Sequence, residues 1–236
     1  MKGLISIVIA VMTGVLLADP IMSANTFGVQ KVRITAKNTV IGVPWTDCAT
    51  GGDISVQDIV KTANLSVGDQ LMVYGSEAGK YTATFMLQED GGVRSWVRTD
   101  LGGSETVTLA RGKALLLSRV SDVAVDIYLH GQAETAAVGE IPVIAVGTDS
   151  EPKFTLIAPP MVGNVALELD DNVFVEGVGK NDTVWVPNSV ERYWQTGSNK
   201  NAFGKKSWSG TVTPITIAPG TGFWYVSRGG SPTVKW

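Results

Sequence analysis

From Val29 onward the chain consists of short runs rich in Val, Ile, Thr and aromatics, cut every few residues by Gly, Asn, Asp or Pro. Branched and aromatic side chains suit the pleated, half-buried surface of a sheet, while Gly, Asn and Pro end strands and form turns. The pattern predicts an all-β fold. In the first half the predicted strands are Val29 to Ala36, Thr39 to Val43, Gln70 to Tyr74, Tyr81 to Leu87, Thr106 to Ala110, Lys113 to Ser118 and Val123 to Leu129. In the second half they are Phe154 to Ala158, Thr183 to Val186, Glu191 to Gln195, Pro214 to Ala218, Phe223 to Ser227 and Pro232 to Trp236. Several runs, such as Ala114-Leu115-Leu116-Leu117, are apolar without alternation, which fits strands buried on both faces of a sandwich or barrel. One short helix is expected from about Ser55 to Asn64, packed on the first sheet. Ser55-Val-Gln-Asp58 reads as a capping box, and Val56, Ile59, Val60 and Ala63 share a helical face.

The second half repeats landmarks of the first in the same order. Asn38-Thr-Val-Ile-Gly-Val-Pro-Trp45 matches Phe154-Thr-Leu-Ile-Ala-Pro-Pro-Met161, a Thr-apolar-Ile strand running into a Pro-broken turn. Gly68-Asp69-Gln-Leu-Met-Val-Tyr74 matches Asn181-Asp182-Thr-Val-Trp-Val-Pro187, an Asp turn opening a strand. Arg94-Ser-Trp96 pairs with Lys206-Ser-Trp208, and the stretch from Val107 through Gly112 to Arg119 parallels that from Ile215 through Gly220 to Arg228. The period exceeds that of solenoid repeats, so each copy is expected to be a small β-sandwich or barrel-like domain from an internal duplication. The expected division is a signal peptide over 1–24, a first β domain over 27–135, a linker or added strand over 136–147 and a second β domain over 148–236. Gly131 to Pro152 reads as the connection, with Ile141 to Val146 adding one strand. A pseudo-twofold pairing of the copies into one larger β structure is the alternative, because each copy is short of strands to close alone.

The N-terminus carries an address. Lys2 precedes an apolar run from Leu4 to Ala18, followed by Asp19, Pro20 and Ser23-Ala24, the layout of a secretory signal peptide. At about 15 residues the run is shorter than the roughly 20 that a membrane helix needs. Cleavage is expected after Ala24, with Ala18 as the alternative site and a retained N-terminal anchor as the alternative reading. No second apolar segment of spanning length follows. Loss of Lys2 and Asp19 leaves the net charge at -3. The mature protein is expected to be exported: periplasmic, at the cell surface or extracellular. Cys48 is then the single thiol of an exported chain, expected to be buried and free, with an intermolecular bridge as the alternative. With one Cys no disulfide framework exists, so stability must come from packed cores.

The export signal, the two copies opening with a Thr-apolar-Ile-x-x-Pro strand, the Asp-initiated strands bearing Tyr74 or Trp185, and the closing turn and strand Gly220-Thr-Gly222-Phe223-Trp224 together carry a resemblance. The chain resembles uncharacterised secreted β-repeat proteins of the Verrucomicrobia and Lentisphaerae group of bacteria. The likeness spans most of the mature chain and implies secretion and architecture, with no activity attached. The first copy departs from it, carrying Ala114-Leu115-Leu116 in place of Gly222-Phe223-Trp224.

A single His removes much chemistry. No HExxH zinc helix and no His cluster can be assembled, and two copies cannot both hold a His-based triad. The charges are scattered, with 19 basic against 22 acidic residues, so no basic face for nucleic acid is expected. Gly177-Val-Gly179-Lys180 resembles part of a phosphate loop, but Phe174 stands where the pattern needs Gly and Asn181 where it needs Ser or Thr; a β-turn is expected. Asp170, Asp171, Asn172 and Glu176 offer oxygen ligands for Ca²⁺, yet their spacing is not that of an EF-hand, and a solvated turn is favoured. His130 ends a strand and is read as structural. Asp47, Asp53, Asp58 and Asp69 would suit a carboxylate glycosidase only if two met in one cleft, and Asp58 and Asp69 already have cap and turn explanations. Val234-Lys-Trp236 alternates like a strand of an outer-membrane barrel, but unbroken runs such as Phe154 to Ala158 argue against lipid-facing alternation. No metal or other cofactor and no catalytic residue is expected.

The aromatics are the better lead. All seven Trp lie beyond the signal segment, and Trp rings either fill cores or stack on sugar faces. Tyr193, Trp194, Trp208 and Trp224 sit among Gly-, Ser-, Asn- and Lys-rich segments of the second copy and are the candidate ligand-binding residues. The sequence therefore points first to a secreted, non-enzymatic structural or adhesive protein of the cell surface or extracellular matrix. A carbohydrate-binding module using those aromatics is the alternative, and a carboxylate glycosidase comes third. Partners are expected to be further copies of the chain or a cell-surface glycan.

Overall fold

The computed structural model describes residues 26–100, 106–133, 145–159, 167–169, 174–176, 179, 182–185, 192–200, 206–209, 215–218, 220–230 and 233–234. The signal segment lies outside these residues. The chain is all-β, as its composition predicts. The first half runs β1 (Thr26–Ile34), β2 (Asn38–Gly42), β3 (Ile54–Ser55), α1 (Val56–Ile59), β4 (Gln70–Gly75), β5 (Lys80–Asp90), β6 (Val93–Arg98), β7 (Thr108–Leu109), β8 (Ala114–Ser118) and β9 (Val125–Ala133). The second runs β10 (Lys153–Ile157), β11 (Leu167–Leu169), β12 (Phe174–Glu176), β13 (Thr183–Trp185), β14 (Arg192–Lys200), β15 (Lys206–Ser209), β16 (Ile215–Ile217), β17 (Phe223–Ser227) and β18 (Thr233–Val234).

Each half builds a five-stranded antiparallel sheet, β2-β8-β4-β5-β6 in the first and β10-β17-β13-β14-β15 in the second. Strand for strand the two sheets follow the same order. Thr39 lies opposite Leu117 and Thr155 opposite Tyr225, while Asp69 and Asp182 each stand immediately before the central strand of their sheet. Short pairs flank the sheets in matching fashion, β3-β7 in one half and β11-β16 in the other.

The first-half core alternates as a half-buried sheet must. Ala83, Phe85 and Leu87 of β5 and Leu115 and Leu117 of β8 point into it, joined by Ile34, Ile127 and Leu129 from the β1-β9 ribbon. That ribbon closes over Trp45. Gly28 and Gly131 face each other across β1 and β9, and a Cβ at either position would overlap the Trp45 side chain. Glycine is required at both places so that the indole can lie against the ribbon.

The helix is shorter than the sequence predicts. It spans one turn, Val56–Ile59, and Ser55 makes no side-chain capping bond. Val60 is already extended and bridges Leu129, and the Lys61 N–H donates to the Tyr128 carbonyl. A strand has claimed the backbone groups that a longer helix would have bonded internally, and β-branched Ile59 and Val60 yield readily to that competition. The turn packs on β3 and β9, and it also meets the large sheet as expected: Val56 and Ile59 join its core and the Gln57 side chain donates to the Trp96 carbonyl of β6 at 3.1 Å. The sequence reading also missed β3, β6, β11, β12 and β15, short or polar strands with little alternation. The expected connection begins inside β9, which continues to Ala133. Of the strand expected over Ile141 to Val146, residues 141–144 lie outside the described residues, and Ala145 and Val146 are not in a strand.

The two halves meet along β2, β8, β10 and β17. Ile41 bridges Thr221 and Lys113 bridges Ile157. The Gly42 N–H donates to the Gly220 carbonyl at 2.9 Å, and the Ala158 N–H to the Gly112 carbonyl at 3.1 Å. These are the same contact made twice with the halves exchanged, since Gly42 aligns with Ala158 and Gly112 with Gly220. Between the sheets lies a second core of Val40, Ala114, Leu156, Ala158 and Trp224, packed by Tyr74, Leu116 and Phe154. The unbroken apolar run of β8 is thereby explained: Leu115 and Leu117 face the first-half core and Leu116 the seam. Close approach at the seam needs a small residue, because a Cβ at Gly42 would lie 2.6 Å from that of Ala158. Gly42→Val is expected to destabilise by about 2 kcal/mol through overpacking, read as a lowered urea midpoint.

Candidate functional site

The four candidate aromatics divide. Tyr193 and Trp194 lie on β14, opposite Val184 and Thr183, and Trp208 lies on β15, opposite Gln195. The side chains of these three lie outside the described residues. Trp224 is different: its side chain is buried, 6% exposed, within the seam. It fills space between the halves and presents no open ring face to a ligand.

Around Trp224 an aromatic cluster crosses the seam. Tyr74 meets it edge-on at 4.8 Å between ring centroids, Phe154 edge-on at 6.2 Å, and Trp185 stacks on it at 6.4 Å with planes 16° apart. Tyr81 packs edge-on against Tyr74 at 5.5 Å. The ends of the cluster reach the surface, with Trp185 39% and Tyr81 41% exposed. Sequence reasoning missed Tyr74 and Tyr81, because residues far apart in the chain meet here only through docking of one sheet on the other. The available signal was the Tyr74 strand, which aligns with the Trp185 strand.

Beside the cluster, a cleft of about 640 Å³ opens between the halves. Tyr74, Ser76, Thr108 and Lys113 line it from the first half, and Ala145 and Leu156 wall it from the second. Asp53 and Glu77 also line it and are exposed, whereas Lys113 is half-buried. Burial holds the Lys113 ammonium below the ordinary lysine range and raises the Tyr74 phenol, since low-dielectric surroundings disfavour charge. The Lys153 ammonium donates to the Glu77 carbonyl at 3.2 Å, a bond that crosses from one half to the other.

The acids considered for catalysis do not gather in this cleft. Asp69 is fully buried and accepts the N–H groups of Ser66 at 2.9 Å and Val120 at 2.8 Å, so its carboxylate is a structural staple. Asp182 does the same in the second half, accepting the N–H groups of Gly179 at 2.7 Å and Arg228 at 2.6 Å and the Tyr225 hydroxyl at 2.7 Å. Burial and this carboxylate push the Tyr225 phenol far up, keeping it a donor. Asp47 closes its own loop by accepting from the Ala49 and Thr50 N–H groups. These bonds hold its carboxyl below the ordinary range. Of the four, Asp53 alone lines the cleft.

Cys48 is exposed, contrary to the expectation of a buried thiol. The loop after Trp45 turns outward around Asp47, which carries Cys48 past the edge of the core. With Lys61, Tyr128 and His130 it borders a smaller cavity of about 430 Å³. Burial, and secondarily the Lys61 ammonium, push the His130 imidazole below its ordinary value, against a smaller opposing pull from Asp58. A histidine depressed in the folded state is neutral there but takes up a proton on unfolding below about pH 6.5. Its contribution to stability is therefore full above that pH and is lost as the pH falls toward the folded value. The expected result is a denaturation midpoint that declines from pH 7 to pH 5 less steeply in His130→Gln than in the parent.

Among the described residues no group of three or more His, Cys, Asp or Glu side chains converges to hold a metal ion. Of the acids considered for Ca²⁺, residues 170–172 lie outside the described residues, as does the Glu176 side chain. In the phosphate-loop look-alike, 177, 178 and 180 lie outside too, and the Gly179 N–H is taken by Asp182. Among the described residues no helix is long and apolar enough to cross a membrane. The chain matches no family model, no curated protein and no solved structure.

Proposed function

We propose that this chain is an exported, non-enzymatic structural or adhesive protein of the cell surface or extracellular matrix, assembled from two β units that arose by internal duplication. The observation that carries this reading is a set of exposed valines on a stiff support. Val67, Val120 and Val123 are 51%, 59% and 70% exposed. They project from two loops that Asp69 ties together through its bonds to Ser66 and Val120. Exposed apolar side chains on rigid loops favour contact with another protein surface or a second copy. In this reading the seam locks the halves so that force on one is borne by both. Sedimentation velocity of the mature chain, Asn25 to Trp236, tests the idea. Self-association that Val120→Asp abolishes supports it; a monomer at every concentration, adhering to no matrix preparation, removes it.

Carbohydrate binding is the second reading, favoured by the exposed Trp185 ring stacked on Trp224. A glycan array compared between the parent and Trp185→Ala tests it. Trp224→Ala is a poor control because it empties the seam.

A further inference from the structure

We propose that the cleft between the two halves binds a sugar acid, its carboxylate on the Lys113 ammonium and its hydroxyls on Asp53 and Glu77 at the mouth. The site stands apart from the structural reading above, since it uses neither the exposed valines nor self-association. Three observations carry it.

The first is the placement of charge. Lys113 is half-buried in a cleft of about 640 Å³, and among the described residues no carboxylate pairs with it. Loss of water is the sole influence displacing its titration. An ammonium stripped of part of its hydration gains most from an anionic partner that brings its own negative charge. The second is the placement of the acids. Asp53 and Glu77 line the same cleft but are exposed, so water screens their repulsion of an incoming anion. Carboxylates at that position accept hydrogen bonds from hydroxyl groups. A ligand with a carboxylate at one end and hydroxyls at the other satisfies both sets at once. The third is the remaining lining. Ser76 and Thr108 present hydroxyls, the Tyr74 ring forms part of the wall, and Leu156 and Ala145 supply apolar surface from the second half. Hydroxyls beside an aromatic and aliphatic wall suit the polar edge and the apolar face of a pyranose ring.

The position is specific to one half. Lys113 bridges Ile157, and its counterpart Thr221 bridges Ile41, so the symmetric contact holds Lys on one side and Thr on the other. Lys113→Thr therefore installs a residue that the same local backbone already accommodates, which makes it a variant expected to fold.

The test is isothermal titration calorimetry of the full mature chain with galacturonate, trigalacturonate and the methyl ester of trigalacturonate. The expected result is saturable binding of an acid form that falls with added salt, weakens about tenfold or more in the methyl ester, and weakens likewise in Lys113→Thr and Lys113→Met. Circular dichroism confirms that the variants remain folded. Binding of galacturonate alone identifies a free sugar acid as the ligand; stronger binding of the trimer identifies a residue within a glycan. Binding of neither acid, equal binding of the ester, or undiminished binding in both folded variants overturns the proposal.

Discussion

Trp224→Ala is expected to destabilise the protein by about 3 to 5 kcal/mol, the range for removing a buried aromatic. The ring is 6% exposed and sits where four elements meet, so truncation leaves Tyr74, Phe154 and Trp185 without their common partner. The loss falls both on the contact between the halves, through Tyr74, and on packing within the second half, through Phe154 and Trp185. Urea unfolding followed by far-ultraviolet circular dichroism should therefore show a large fall in the midpoint. Trp224→Phe, which keeps much of the volume, should recover a good part of it. A midpoint unchanged by the Ala variant would mean that the seam does not contribute to stability in solution. Trp185→Ala, at a position 39% exposed, should cost far less, and that contrast separates packing from a binding role for the two rings.

Asp69→Ala is expected to destabilise by about 2 kcal/mol, because it removes a buried carboxylate and leaves the N–H groups of Ser66 and Val120, at the ends of part-buried bonds, without that acceptor. Asp182→Ala should be at least as severe, since the fully buried Tyr225 hydroxyl also loses its bond to this carboxylate. Asn in place of either Asp keeps one acceptor oxygen and replaces the other with a donor facing an N–H, so it should recover only part of the loss. Chemical denaturation of the four single variants checks the series. Equal midpoints for Ala and parent at Asp69 would show that water replaces the carboxylate, and would leave the loops carrying Val67, Val120 and Val123 without their staple.

The duplication-like landmarks were legible because each marks a local backbone requirement. Gly112 and Gly220 adopt positive φ, +84° and +73°, and Asp69 and Asp182 collect the same kind of backbone donors before the same strand. Such needs are met by particular residue types, so they leave a trace in the chain. The helix boundary was not legible. Ser55 and Asp58 satisfy a capping pattern, yet the pairing of Val60 with Leu129 depends on residues far along the chain. The burial of Trp224 was not legible for a related reason. Adjacent aromatics on a strand must point to opposite sides, which fits one ring in a core and one in solvent. Here both faces of β17 are covered, with Phe223, Trp224 and Tyr225 all buried. The exposure of Cys48 was also out of reach, since it follows from the outward path of a loop held by Asp47.

By itself the sequence determined the all-β class, most strand positions and the order in which landmarks recur, because turn residues and side-chain branching act over a few residues. It also bounded the chemistry through its single His and single Cys. Tertiary structure alone decided how the halves meet, which aromatics are core, and that Lys113 shares a cleft with Asp53 and Glu77. Those outcomes depend on sheet-against-sheet packing, where burial rewards total shape and area rather than any local pattern.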